Sequence, residues 1–204
     1  MRQKGQYVSE KEKMLLGQPY RAGDEALVRE RHVAKEMLFD LNTLHPRETQ
    51  QRENILKKLL RTLGKDSVIE SPFRCDYGSN ISIGDNFYAN YNCTILDCAQ
   101  VNIGNHVLFA PNVSLFTAGH PVHYELRNAG IEYAFPITIG DNVWIGGGVI
   151  VNPGITIGSN VVIGAGSIVT KDIPSNVVAV GNPCKVIRTI TDDDKKYYFR
   201  DCAI

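Results

Sequence analysis

Mostly apolar residues recur at every sixth position through much of this chain. Ile81, Phe87 and Cys93 form one run, and Val101, Val107 and Val113 a second. Ile137, Val143, Val149, Ile155, Val161, Ser167 and Ile173 form a third, giving thirteen positions in all. Around them runs a phrase of aliphatic, any residue, Ile-Gly, then a polar pair, as in ISIGDN, VNIGNH, ITIGDN and ITIGSN. A fixed period of six predicts a parallel β-helix of stacked coils. The hexad residue should point into a narrow core, where β-branched side chains pack well. Gly beside Asp or Asn should turn each corner, because these residues tolerate left-handed backbone. So many positions in register weigh against an ordinary β-sandwich. The rhythm breaks twice. Two residues are inserted near Ala99–Gln100, and a loop is expected over residues 114–136.

Ahead of the repeats the periodicity is helical. Ser9 with Glu12 forms a capping box before KMLLG, and Gly17 is a stop signal. Asp24 can cap a longer helix whose apolar positions Leu27, Ala34, Met37, Leu38 and Leu41 share one face. A third helix is expected from about Arg47 to Leu63, with Ile55, Leu59, Leu60 and Leu63 as its apolar stripe. Such helices should cover the open strand edge at one end of the coil. The expected division is residues 1–66 as helical cap, 67–190 as β-helix and 191–204 as tail.

Composition narrows the class. Apolar residues make up 43% of the 204, enough for a sizeable core, and the formal net charge is zero, which argues against a nucleic-acid surface. The charge is uneven. Residues 1–66 carry 14 Lys and Arg, whereas Arg127 is the single one between Cys75 and Thr170. Cations return at Lys171, Lys185 and Arg188. The five cysteines have no zinc-type spacing and read as reduced thiols. The opening MRQKGQYVSEKEKML has no long apolar run, so neither signal peptide nor membrane span is expected, and a cytoplasmic place is the default.

The stretch from VNIGNH to GAGSIVTKDIPSNVVAVGNPCKVI resembles the hexapeptide-repeat acyltransferases. The segments FRCDYGSNISIGDNFYANYNCTILD, TAGHPVHYELRNAG and YAFPITIGDNVWIGGGVIVNPGITIG, with the EKEKMLLGQPYRAGDE opening, resemble the maltose and galactoside O-acetyltransferases within that group. The resemblance implies a mainly β chain, a left-handed parallel β-helix with an α-helical N-terminal cap. It implies transfer of an acetyl group from acetyl-CoA to a sugar hydroxyl, without a metal, in a homotrimer whose sites lie between subunits.

His120 lies inside the second break, where function concentrates on loops that interrupt rigid repeats. It matches the family's catalytic histidine. Its ordinary pKa suits a general base that takes the proton of an alcohol. Asp76, Asn90, Asp97 and Cys98 match positions where the family contacts the acceptor, and Tyr88 is a candidate pocket wall. The galactoside enzymes carry two aspartates where this chain has Asp97 and Cys98. That departure moves the reading towards the maltose type. Asp76 and Asp97 also read as plain turn-forming aspartates. Glu132 is a candidate to orient the histidine or a solvated loop charge. Tyr20, Arg21 and Asp24 are candidates to reach the site from the cap. For the donor, Trp144, Gly147, Ala165, Thr170 and Lys171 match the family's CoA-contacting run. Lys185 and Arg188 match its phosphate-contacting cations. Two other readings stand beside this one. His106, His120 and His123 suggest a metal-binding, gamma-class carbonic anhydrase. A bare hexad coil also serves as a non-catalytic scaffold.

Overall fold

The computed structural model describes residues 8–200, 202 and 203. The part of the signal-peptide expectation that falls on residues 1–7 lies outside them.

Three parallel sheets form the faces of a prism. The first face stacks Thr62–Leu63, Ile81–Ile83, Val101–Ile103, Ile137–Ile139 and Thr156–Ile157. The second stacks Val68–Ile69, Tyr88–Ala89, Leu108–Phe109, Val143–Ile145, Val161–Ile163 and Val177–Val180, and Lys185–Thr189 closes it antiparallel. The third stacks Phe73–Cys75, Cys93–Leu96, Ser114–Phe116, Ile150–Val151 and Ile168–Val169. All thirteen hexad residues are buried. So is the residue two places after most of them, such as Ile83, Ile95 and Ile145, because alternate strand positions share a face. Each side of a coil therefore sends up to two side chains inward.

The corners differ from expectation. The left-handed residue is the one before the hexad position, for example Asn86, His106, Asn142 and Asn160. The glycines of four Ile-Gly pairs instead stack on one another along the edge between the first and second faces. A Cβ on Gly104 would lie 2.8 Å from the Gly140 carbonyl oxygen, so adjacent coils approach too closely for a side chain. A ladder of polar groups runs beside them. Asp85 accepts the Lys65 amide at 2.7 Å, Asp141 the Asn105 amide at 2.6 Å, and Ser159 Oγ the Asp141 amide at 3.0 Å.

Helix α1 (Glu10–Leu15) has the expected capping box at Ser9 and Glu12. It ends in a Schellman motif, with Gly17 left-handed and the Gln18 amide on the Lys13 carbonyl at 2.9 Å. Helix α2 (Glu25–Thr43) is capped by Asp24, which accepts the amides of Ala26 and Leu27. Helix α3 spans Thr49–Leu59, shorter than expected. Leu60 is already extended, and the Arg61 amide donates to Ile81, so residues expected in the helix open the first coil. The strand Thr62–Leu63 thus already pairs with Ile81–Ile83. Ala34, Leu38 and Leu41 of α2 and Leu56 and Leu59 of α3 join the core at that end, which covers its strand edge. The excursion is also shorter than expected. Ser114–Phe116 remains in the third face, and the chain leaves the coil over 117–136, through α4 (Tyr124–Asn128) and the strand Ile131–Ala134.

Candidate active site

Three successive coils have enlarged corners on one edge, between the third and first faces. They hold residues 76–80, 97–100 and 117–136. Later coils turn the same edge tightly at Asn152–Gly154 and Thr170–Asp172. The enlarged corners gather most of the acceptor candidates.

The excursion is held by a small antiparallel sheet. Ala118–Gly119 pairs with Tyr133 and Ala134, and Glu132 pairs with Tyr20 of the N-terminal strand Tyr20–Arg21. Gly119 has no room for a Cβ, which would lie 2.5 Å from the Tyr133 hydroxyl. The next residue is His120. Its Nε2 stands 3.9 Å from Glu132 Oε1, too long for a hydrogen bond, and its side chain is 56% exposed. Glu132 Oε2 accepts the Tyr20 hydroxyl at 2.8 Å. The Tyr20 hydroxyl also meets the Cys98 thiol. The Cys98 thiol in turn lies 3.4 Å from Asp76 Oδ2. A run of neighbouring polar groups therefore leads from Asp76 through Cys98, Tyr20 and Glu132 to His120. Tyr20 is fully buried among Met14, Leu27, Tyr77, Ala99 and Ala134, which ties the helical cap to the excursion.

Burial raises the Tyr20 hydroxyl, the Cys98 thiol and the Asp76 carboxyl above their ordinary values. For Tyr20 and Cys98, the neighbouring acidic groups add to that rise. Arg31 of α2 stands beside this group. Its Nη1 donates to the Tyr77 hydroxyl at 2.6 Å and its Nη2 to the Ala22 carbonyl at 2.7 Å. Asp97, the other aspartate expected near the acceptor, is enclosed. It is 0% exposed, and its carboxylate accepts the amides of Asp76, Tyr77 and Asn80 at 3.0, 2.8 and 3.3 Å. Burial, opposed by these amides, pushes its carboxyl up to about 7.

The remaining candidates lie elsewhere on the prism. Tyr88, Leu108, Trp144, Val162, Val178 and Arg188 stand in register along the outside of the second face. Trp144 is 53% exposed. Asn90, Gly147 and Ala165 lie on the edge between the second and third faces. Small residues crowd that edge, with a Cβ on Gly146 falling 2.6 Å from the Ala165 amide nitrogen. Lys185 opens the closing strand nearby. Arg188 grips Asp194 through both oxygens, at 2.7 and 2.9 Å. Thr170 and Lys171 lie back on the edge that carries His120. Within one chain the third face separates the two groups. Of the cap candidates, Tyr20 reaches the site. Asp24 is spent on capping α2, and the Arg21 amide donates to Glu10.

The three histidines do not converge. His106 is an exposed left-handed corner, and His123 stacks on Tyr124. Among the described residues no three His, Cys, Asp or Glu side chains are grouped to hold a metal ion. Cys75, Cys93, Cys98, Cys184 and Cys202 are all free thiols. No described helix is long and apolar enough to cross a membrane. Sequence reasoning missed Arg31 and Tyr77, which no local pattern marks.

The chain resembles known proteins over most of its length. Residues 13–64 match the maltose acetyltransferase hexapeptide capping motif, and residues 136–171 match the bacterial transferase hexapeptide model of six repeats. The galactoside O-acetyltransferase of Escherichia coli K12 is 54% identical over 180 residues, which are 88% of this chain and 89% of that protein. The crystal structure of a maltose O-acetyltransferase from Clostridium difficile 630 superposes with a TM-score of 0.90 at 56% identity, over 92% of this chain and all of that one. A galactoside acetyltransferase in complex with coenzyme A superposes with a TM-score of 0.94 at 52% identity, over 97% and 99% of the two chains. The chain is an acetyltransferase and belongs to the hexapeptide-repeat family of maltose and galactoside O-acetyltransferases.

Proposed function

We propose that this protein moves the acetyl group of acetyl-CoA to a hydroxyl of a mono- or disaccharide, with His120 as general base. The observation that carries the proposal is the run of polar groups from Asp76 to His120, held on three stacked corners of a rigid coil. His120 Nε2 takes the proton of the acceptor hydroxyl as its oxygen attacks the thioester carbonyl. The tetrahedral oxyanion then collapses and the carbon–sulfur bond breaks. The imidazolium returns the proton to the departing CoA thiolate. Glu132 Oε1 stands 3.9 Å from that same nitrogen, where its charge offsets that of the imidazolium, and Tyr20 fixes its orientation. Asp76 and Cys98 offer hydrogen bonds to the sugar.

Two separated groups of candidates support a site shared between subunits. Asp76, Cys98, His120, Thr170 and Lys171 lie on one edge. Tyr88, Asn90, Trp144, Gly147, Ala165, Lys185 and Arg188 lie one face away. A second copy that lays its second face near the first copy's His120 edge unites acceptor, thioester and phosphate contacts. A homotrimer, as the family resemblance implies, satisfies this for every site. Free thiols fit action in the reducing cytoplasm.

The test is an acceptor panel of glycosides, amines and serine with acetyl-CoA, read by release of free thiol. Glycosides are the expected acceptors, and His120→Ala lowers their turnover by about 10²-fold or more. A folded His120→Ala variant with wild-type turnover removes His120 from the mechanism. A monomer that is active in solution removes the shared site.

A further inference from the structure

Asp97 is the most enclosed carboxylate near the site, and the proposed mechanism gives it nothing to do. Its setting is unlike that of the other aspartates at the corners. Asp85, Asp141 and Asp172 each accept one backbone amide from the adjoining coil, and each does so at an exposed corner. Asp97 accepts three, all from the corner of the preceding coil. That corner answers in kind. Asn80 Nδ2 donates to the Asp97 carbonyl at 2.7 Å, and its own carbonyl accepts the Val101 amide at 2.9 Å. The two corners are clasped from both sides.

The next corner up does the same job with a neutral group. Thr117 Oγ1 accepts the Ala99 amide at 2.9 Å and donates to the Leu96 carbonyl at 2.6 Å. A hydroxyl is therefore enough to tie one coil to another in this fold. A carboxylate taken out of water is a more demanding group to place there. It offers more acceptor sites, enough to fix three amides at once. The corner it fixes begins with Asp76. With the backbone pinned beneath it, the Asp76 carboxylate is left to face the Cys98 thiol at the head of the run of polar groups.

We infer that Asp97 is a positioning residue for the acceptor half-site: it holds the 76–80 corner so that Asp76 meets the sugar in a fixed orientation. This rests on the proposed sugar acetylation, and it gives Asp97 a role without direct contact to the acceptor.

Asp97→Asn keeps the oxygen that serves Asp76 and Tyr77 and puts an amide where the Asn80 amide now donates. Losing one such bond should raise the KM for the sugar about tenfold and leave the KM for acetyl-CoA within about twofold. In an Asp76→Asn background the same change should add less than about twofold, because the path through Asp76 is already cut. Equal multiplication in both backgrounds, or equal rises for both substrates, overturns the inference. Amide hydrogen exchange, read with no substrate present, supplies an independent measure. Asp76 and Tyr77 amides should exchange faster in Asp97→Asn, and unchanged exchange there overturns the clasp. If Asp97→Asn does not fold, Asn80→Ala removes the return bond alone and should raise the sugar KM in the same direction. An unchanged value refutes the clasp. If the wild-type protein acetylates no sugar, the activity reading falls, and the exchange result alone decides the role of Asp97.

Discussion

Burying Asp97 makes the stability of the fold depend on pH in an unusual direction. Its carboxyl is pushed from an ordinary 3.8 up to about 7, by burial first and against the pull of its backbone amides. At 1.36 kcal/mol per pKa unit, this corresponds to on the order of 4 kcal/mol. The group is an acid with a raised folded-state value, so between about pH 4 and 7 the folded chain holds a proton that the unfolded chain has lost. Its contribution is fully present below about pH 4 and is lost as pH rises through 7. Most carboxylates act the other way. Asp194, held by Arg188 down to about 2, is one of them. The wild-type curve alone mixes both signs. The clean quantity is the difference in unfolding free energy between wild type and Asp97→Asn, from urea titrations at pH 4.5 to 8. The wild type should lose advantage up to about pH 7 and then level off, by on the order of 3 kcal/mol, or roughly 10 °C in Tm for a chain of this size. The 13C-carboxyl shift of Asp97 should give a midpoint near 7. A difference that stays constant with pH, or an ordinary carboxylate midpoint, refutes the reasoning.

Gly104→Ala should lower Tm by roughly 2–12 °C, since overpacking against fixed backbone costs about 1–3 kcal/mol. Gly23→Ala, which meets nothing within 4 Å, should leave Tm almost unchanged, and equal Tm values for the two would show that the glycine column is not close-packed. Tyr20→Phe removes the hydroxyl on Glu132 and should lower kcat about tenfold with the KM for acetyl-CoA unchanged; full kcat would detach Glu132 from His120. Asp194→Asn frees the Arg188 guanidinium and should lower the KM for acetyl-CoA about threefold, whereas Arg188→Glu raises it. If neither substitution moves that KM, Arg188 does not meet the phosphates.

The hexad residues could be read from the chain because each fills the same narrow core, and a repeated environment leaves a repeated letter. The first coil escaped because Leu59, Leu60 and Leu63 continue the apolar stripe of α3, so two periods overlap there. The signal was present, since Leu63-Gly64 lies 20 residues before Ile83-Gly84. His120 stood out because it falls where the pattern lapses. How its neighbours meet was harder to read. Tyr20 meets Glu132 across 112 residues, and no local spacing carries a contact that distant. Arg31 and Tyr77 are paired by the packing of α2 against the corners, which only the folded chain specifies. Asp97 was legible both as acceptor contact and as turn residue, and its burial could be known only from the fold.

The enlarged corners sit on a rack of fixed pitch. Neighbouring strands lie about 4.8 Å apart, so the corner of Asp76, that of Cys98 and the excursion to His120 stand at heights set by the coil, spanning roughly 10 Å. Each is one rung of a ruler. An acceptor laid along the edge is measured in strand spacings, against graduations that no side-chain motion can shift. Lengthening or trimming one corner rewrites one graduation and leaves the others where they were. A scaffold of this kind can change what it accepts one rung at a time, while the core that sets the scale stays as it is.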